Sequence, residues 1–278
     1  MLTSTMSKNC QNPVAVPLKT RRTDLPELFA LVQYMDRIDL KGMDAVALMD
    51  RMDTKYCLPT GRLIEAIEVV KDQYRILCVN GQCITEYSTL YFDTPDLDLF
   101  NQHVRGCSNR YKVRSREYMS SRQSFLEVKH KTPRERTIKQ RITTQQFTTR
   151  LTGSVSNWLD EVYPFDNSRL IPALWNSFYR LTLVSKACCE RVTIDVELGF
   201  RHGSRLKTLP GLAVVEIKTD HDNQGSILQQ QLRSMRQHPQ GFSKYCMGVA
   251  LLYNEVKKNS LKPGLLSIQK ITGETYCD

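Results

Sequence analysis

The stretch Arg110-Tyr-Lys112-Val-Arg114-Ser-Arg116-Glu-Tyr118 places a cation at every second position. Alternate side chains of an extended strand face opposite sides. Arg110, Lys112, Arg114, Arg116 and Tyr118 therefore share one face, and Tyr111, Val113 and Ser115 take the other. The phase recurs: Phe125, Glu127, Lys129 and Lys131 oppose Leu126 and Val128, and Thr137, Lys139 and Arg141 oppose Ile138, Gln140 and Ile142. Arg191, Thr193, Asp195 and Glu197 oppose Val192, Ile194 and Val196, while Val214, Glu216 and Lys218 oppose Val215 and Ile217. Arg51, Asp53 and Lys55 share a face as well. A sheet with one wet side also alternates, but the bias here is to Arg and Lys, with Glu two residues before Lys at Glu127-Val-Lys129 and Glu216-Ile-Lys218.

The net charge sharpens this. The 278 residues carry 39 Lys and Arg against 29 Asp and Glu, a formal charge of +10. Residues 105–141 alone hold twelve cations and three carboxylates, nearly the whole excess. Cations on adjacent strands repel by roughly 1 kcal/mol or more per close pair. Keeping them together implies a polyanionic partner, and the interspersed carboxylates suit a divalent metal that takes oxygen ligands. The expected fold is α+β: a closed antiparallel barrel whose charged faces line a tunnel and whose apolar faces lie under flanking helices. Such a tunnel suits a linear polyphosphate chain with metal.

Composition is that of an ordinary globular protein, 41% hydrophobic and 24% charged. The longest apolar runs, such as 28–32 and 249–252, fall far short of the ~20 residues that span a membrane, and no secretory h-region is visible at the start. The nine cysteines show no C-x-x-C pair and are expected as free thiols in a reducing cytoplasm. The five histidines are too scattered for a zinc site.

Residues 1–23 are expected as a flexible tail and 24–45 as a helical lead-in starting at Asp24, with Leu28, Leu31, Val32, Met35 and Ile38 at helical spacing. A tunnel domain covers 46–258 and a tail 259–278. Strands are expected at 46–58, 75–79, 84–92, 110–119, 124–131, 136–142, 179–185, 191–200 and 212–219, with Asn80-Gly81 as a turn. Helices are expected at 62–71, 96–103, 145–160, 170–178, 226–237 and 243–257.

Seven motifs occur in order: Asp50-Arg-Met-Asp-Thr-Lys-Tyr56, Tyr87-Ser-Thr-Leu-Tyr-Phe-Asp-Thr94, Lys112-Val-Arg-Ser-Arg-Glu-Tyr118, Phe125-Leu-Glu-Val-Lys129, Glu190-Arg-Val-Thr-Ile-Asp195, Val215-Glu-Ile-Lys218 and Phe242-Ser-Lys-Tyr245. Over about residues 25–255 the chain resembles the VTC domain, the polyphosphate polymerase module of the triphosphate tunnel metalloenzyme (CYTH-like) superfamily. The resemblance implies an eight-stranded tunnel and an ATP:polyphosphate phosphotransferase of the polyphosphate kinase type. Such an enzyme moves the terminal phosphoryl group of ATP onto a growing chain, with Mn2+ (or Mg2+). Carried over by motif, Arg114, Arg116 and Lys129 hold the transferring group and Glu216 binds the metal; Glu127 is a weaker second candidate for it. Lys55, Lys139, Arg180, Arg191, Lys218, Ser243 and Lys244 line the path of nucleotide and phosphate, Ser243 and Lys244 at the cap.

Two departures stand out. The first strand reads Arg51-Met-Asp53-Thr-Lys55 in place of E-x-E-x-K, which argues against the triphosphatase and cyclase branches. Gly241 replaces a basic residue before Phe242-Ser-Lys-Tyr245. The resemblance implies ATP and inorganic polyphosphate as partners and a stand-alone cytoplasmic subunit, compatible with a separate membrane subunit at the inner face. Three other readings stay open: a tunnel triphosphatase, a non-catalytic polyphosphate-binding module, and a nucleic-acid binder. The last is disfavoured because a duplex cannot enter a tunnel.

Overall fold

The computed structural model describes residues 25–44, 51–134, 136–220 and 225–275. Its elements run in the order α1 (Leu25–Gln33), β1 (Asp36–Ile38), α2 (Leu40–Asp44), β2 (Arg51–Pro59), α3 (Thr60–Val70), β3 (Tyr74–Leu77), β4 (Thr85–Asp93) and α4 (Asp98–Val104). There follow β5 (Arg110–Tyr118), β6 (Gln123–Lys131), β7 (Thr137–Thr144), α5 (Ser154–Val162), β8 (Ile171–Ser185), β9 (Glu190–His202), β10 (Arg205–Leu209) and β11 (Leu212–Asp220). The helices α6 (Ile227–Ser234), α7 (Lys244–Leu252) and α8 (Lys262–Thr272) complete the described chain.

Eight strands form one antiparallel path in the order β2-β11-β9-β8-β4-β5-β6-β7, with β1, β3 and β10 attached at its sides. β2 is six steps from β6 along this path. Flat, at about 4.8 Å per step, they would lie ~29 Å apart, well beyond the ~8–10 Å reach of a screened charge. Yet Lys129 on β6 is electrostatically coupled to Lys55 and Asp53 on β2. The sheet is therefore rolled, with its charged faces on the concave side. It is not closed: among the described residues β2 pairs with β11 and β7 with β6, and no ladder joins β2 to β7. The expected closed eight-stranded barrel is thus corrected to a rolled, open sheet of mixed α+β class.

The rolling follows from where the apolar faces go. Leu58, Leu181, Ile194, Val215 and Ile217 are buried beneath α1, α3 and α6. Leu90, Val113, Leu126 and Val128 are buried with Leu159 of α5. Each such side chain contributes roughly 1.5–3 kcal/mol when buried, so the outer faces take the helices and the charged faces are left to the inside. A third cluster lies at one end of the inner face. There Cys57, Tyr91, Phe178 and Val214, in phase with the charged positions, are covered by Tyr245, Cys246, Met247 and Val249 of α7 and by Leu265 and Ile268 of α8. This is an apolar floor to the lumen. Asp93 fixes it: its carboxylate accepts the backbone N–H groups of Leu99 and Phe100 at 2.8 Å each and the Tyr245 hydroxyl.

Several expectations are corrected. Of residues 170–178, expected as a helix, 171–178 belong to the fifteen-residue strand β8, whose burial alternates through Leu174, Asn176 and Phe178. The large aromatic residues Trp175, Phe178 and Tyr179 suit a pleated surface better than a helix. The lead-in helix stops at Gln33, and Asp36–Ile38 pairs in parallel with β3. The tail expected over 259–278 contains α8, anchored by buried Leu265 and Ile268. Cys78 and Cys83, expected free, form a disulfide, brought together by the turn at Asn80 and Gly81, both at positive φ (51° and 77°). Cys10, Cys277, the 1–23 tail and the 46–50 part of the first strand lie outside the described residues. No described helix is long and apolar enough to cross a membrane.

The floor is tightly packed at Gly248, where a Cβ would meet Leu174 Cδ2 and Phe200 Cδ1 at 2.5 Å. Helix propensity favours Ala over Gly by about 0.8–1 kcal/mol, but overpacking costs about 1–3 kcal/mol. The clash is expected to win: Gly248→Ala should lower the urea midpoint, and an unchanged or higher midpoint would show that Leu174 and Phe200 give way.

Candidate functional site

The inner face is organised by three carboxylates, each set between two cations. Glu216 (β11) pairs with Lys55 (β2) at 2.9 Å and with Lys218 two residues along. Glu127 (β6) pairs with Arg114 (β5) at 2.7 Å and with Lys139 (β7). Asp195 (β9) accepts a bidentate pair of bonds from Arg180 (β8), at 2.6 and 2.7 Å, and a further one from Lys244 at the start of α7. Registry sets one pair in each group: Glu216 lies directly across from Lys55, Glu127 from Arg114, and Asp195 from Arg180.

Burial pushes each carboxyl up, and the flanking cations outweigh it. Lys218 and Lys55 hold Glu216 well below the usual carboxylate range, and Arg114, Arg116 and Lys139 do the same for Glu127. Arg180 and Lys244 bring Asp195 down to about 2. The cations respond to the same enclosure. Burial lowers Lys139 to about 8, although its side chain is 43% exposed. Burial and Lys55 together lower Lys129, which is also exposed. Side chains open to water yet crowded by protein are what a lumen produces.

Further cations sit among the three groups. Arg116 is buried, with its guanidinium 5.4 Å from the Tyr87 ring centre and 6.0 Å from that of Phe178. Lys112, Lys129 and Lys139 stand side by side across β5, β6 and β7, an arrangement of like charges that costs stability. Arg191 lies directly across from Lys218. Ser243 is the N-cap of α7, accepting the Cys246 N–H at 3.3 Å and a bond from Lys112 at 3.1 Å.

The structure thus gathers Lys55, Arg114, Arg116, Lys129, Lys139, Arg180, Arg191, Glu216, Lys218, Ser243 and Lys244 on one concave surface. Three residues of that surface, Asp195, Lys112 and Asp53, were not among the sequence candidates, and Glu127 was only a second candidate for the metal. Asp195 and Glu127 hold the arginines in place, Lys112 reaches Ser243, and Asp53 shares Lys218 with Glu216 at 3.4 Å from its ammonium. Their strand phase was visible, since each alternates with apolar neighbours, but their pairing depends on registry. Among the described residues no group of three His, Cys, Asp or Glu side chains forms a metal site.

A rolled antiparallel sheet with this lining defines a tunnel-fold protein. The model of the VTC domain family matches residues 50–253, and the chain belongs to that family. Among curated protein sequences no match is found. Solved structures with a similar fold include a proposed adenylyl cyclase of Hippeastrum with a dominant triphosphatase activity. It is 13% identical with a TM-score of 0.48, covering 74% of this chain and 98% of that one. Another is a proposed adenylate cyclase of Bacillus halodurans, 14% identical with a TM-score of 0.46, covering 70% and 94% respectively. Similarity at this level carries no functional inference.

Asp195 offers a test of the lining. Its folded pKa of about 2 lies below the ordinary value near 3.8, so its stabilisation is present above about pH 4 and is lost as pH falls towards 2. The size is roughly 2 kcal/mol. Asp195→Asn leaves the half-buried Arg180 and Lys244 without their carboxylate and should cost about 3 kcal/mol at pH 7, the low end for a broken enclosed pair. It should also shrink the loss of stability between pH 4 and pH 2 in urea unfolding. An equal acid loss in both proteins would show that Asp195 is not held as described.

Proposed function

We propose that this chain is a polyphosphate polymerase, transferring the terminal phosphoryl group of ATP to the end of an inorganic polyphosphate chain. What carries the reading is the inner face itself. Three carboxylates share six cations, and Arg116, Lys112 and Lys129 add to the excess. Membership of the VTC domain family supports phosphoryl transfer as the reaction type.

The chemistry needs no protein nucleophile. A terminal phosphate oxygen of the chain forms the new P–O bond to the γ-phosphorus. The bond from that phosphorus to the β–γ bridging oxygen breaks, and ADP leaves with the electron pair. Catalysis is then positioning and charge neutralisation. Arg114, Arg116 and Lys129 hold the transferring group. Lys55, Lys139, Arg180, Arg191, Lys218, Ser243 and Lys244 line the path of donor and acceptor. Arg114 and Arg180 are pre-aimed by Glu127 and Asp195, so little reorganisation is needed when phosphate arrives.

The superfamily implies a divalent metal, Mn2+ or Mg2+. Both Glu216 oxygens are engaged by lysines, Lys55 on one and Lys218 on the other. That donor set does not fit an ion held by protein alone. It fits an ion that takes most of its ligands from phosphate, as Mg2+ commonly does, with Glu216 and its neighbour Asp53 as the protein donors. When bound, the ion supplies neutralisation of phosphate charge. A phosphate chain would draw Lys55 and Lys218 away from Glu216 and so free the carboxylate.

The apolar floor favours a second reading, a tunnel triphosphatase, because a lumen blocked at one end seats a short triphosphate with water as the acceptor. Incubation of the purified protein with ATP and Mn2+ separates the two. ADP with long-chain phosphate is expected; free phosphate without chain would support hydrolysis, and no turnover would overturn the enzyme reading. Arg114→Ala should lower kcat by about 10²–10³, the loss typical of one electrostatic donor. Glu216→Gln should abolish metal-dependent turnover while leaving tripolyphosphate binding intact, and surviving turnover would remove the metal role from Glu216.

A further inference from the structure

We propose that the phosphate polymer enters and leaves the lumen sideways, through the seam between β2 and β7, so that no free chain end has to be threaded. The inference rests on the polyphosphate reading above and assigns the route. In-line transfer sets the attacking and leaving oxygens on opposite sides of the phosphorus, so donor and acceptor extend from the reacting centre in opposite directions. One of those directions meets the apolar floor, where Tyr91 stacks on Tyr245 with ring centres 4.9 Å apart beneath α7. With the nucleotide held in the remaining mouth during elongation, a long chain needs a second opening.

The seam provides it. Among the described residues neither edge strand is hydrogen-bonded to the other. Inward-pointing charges on edge strands oppose edge-to-edge pairing, and both banks carry them. Lys139 and Arg141 stand on β7, and Lys55 and Asp53 on β2. Closing the ladder would press Lys139 and Arg141 against a bank that already holds Lys55, whereas a polyanion lying in the seam is attracted by all three. Arg141 has no place in the lumen groups. Its guanidinium lies 4.7 Å from the Phe125 ring centre and its side chain is exposed. That puts it where a chain passes from the lumen to solvent.

The test uses a long linear polyphosphate whose two termini carry biotin through phosphoramidate links, each capped with streptavidin. Lateral access predicts that the doubly capped chain binds the full-length protein within about twofold of the uncapped chain, and that Arg114→Ala weakens both alike. Arg141→Ala should weaken both long chains about tenfold, the loss expected for one charge-assisted contact, while changing tripolyphosphate binding by less than about twofold. If uncapped chain binds and capped chain does not, threading is required and lateral access is wrong. If capped chain binds but ignores Arg114→Ala, it sits outside the lumen and the inference also fails. If neither chain binds, the polyphosphate reading itself falls, and the route with it.

Discussion

Everything in this molecule turns on holding like charges together on a concave surface. A buried ion pair roughly breaks even against an apolar pair of the same volume, so stability alone does not explain why Arg114, Glu127 and Lys139, or Arg180, Asp195 and Lys244, are enclosed inside a sheet. The ratio is also unbalanced, two cations to each carboxylate. The rolled sheet is the device that tolerates it. Its outer faces take the hydrophobic stabilisation under α1, α3, α5 and α6, and this offsets the repulsion within.

The carboxylates have a double role in that arrangement. They lower the cost of the enclosed cations, and they fix guanidinium orientation, bidentately at Asp195. Bonds to carboxylates are strong and directional, so the arginines are fixed in orientation by the protein itself. The lysines are held less rigidly, on long stems: Lys55 through Glu216, Lys139 through Glu127, and Lys218 between Glu216 and Asp53. Arginines that stay and lysines that can change partner divide the inner face into fixed and exchangeable positions.

Much of this was legible in the sequence because period-two alternation reports directly which face of a strand a residue takes. Lys55, Arg114, Lys129, Arg191 and Glu216 all sit on the face their phase assigns. What phase cannot report is registry, and registry is what makes Asp195 the partner of Arg180 and Glu127 the partner of Arg114. Nor does it report closure. Whether β2 meets β7 depends on the roll of the whole sheet, and no local pattern encodes it. The 170–178 segment differs for a local reason: a short apolar run does not by its pattern alone separate helix from strand, while the burial of Leu174, Asn176 and Phe178 in alternation belongs to a long strand.

The two-to-one grouping of cations about each carboxylate also sets what the lumen will ignore. A monovalent anion gains one contact and must compete with a carboxylate already in place, linked covalently to the same scaffold and so present at high effective concentration. A chain of linked phosphates engages several groups at once, and after the first contact each further one is intramolecular. On the proposed polyphosphate function, chloride, acetate or a single orthophosphate would be held off by the protein's own acids, whereas each added phosphate unit would tip the exchange further. On that function the internal salt bridges would act as a threshold on ligand valence, with chain length as the property recognised.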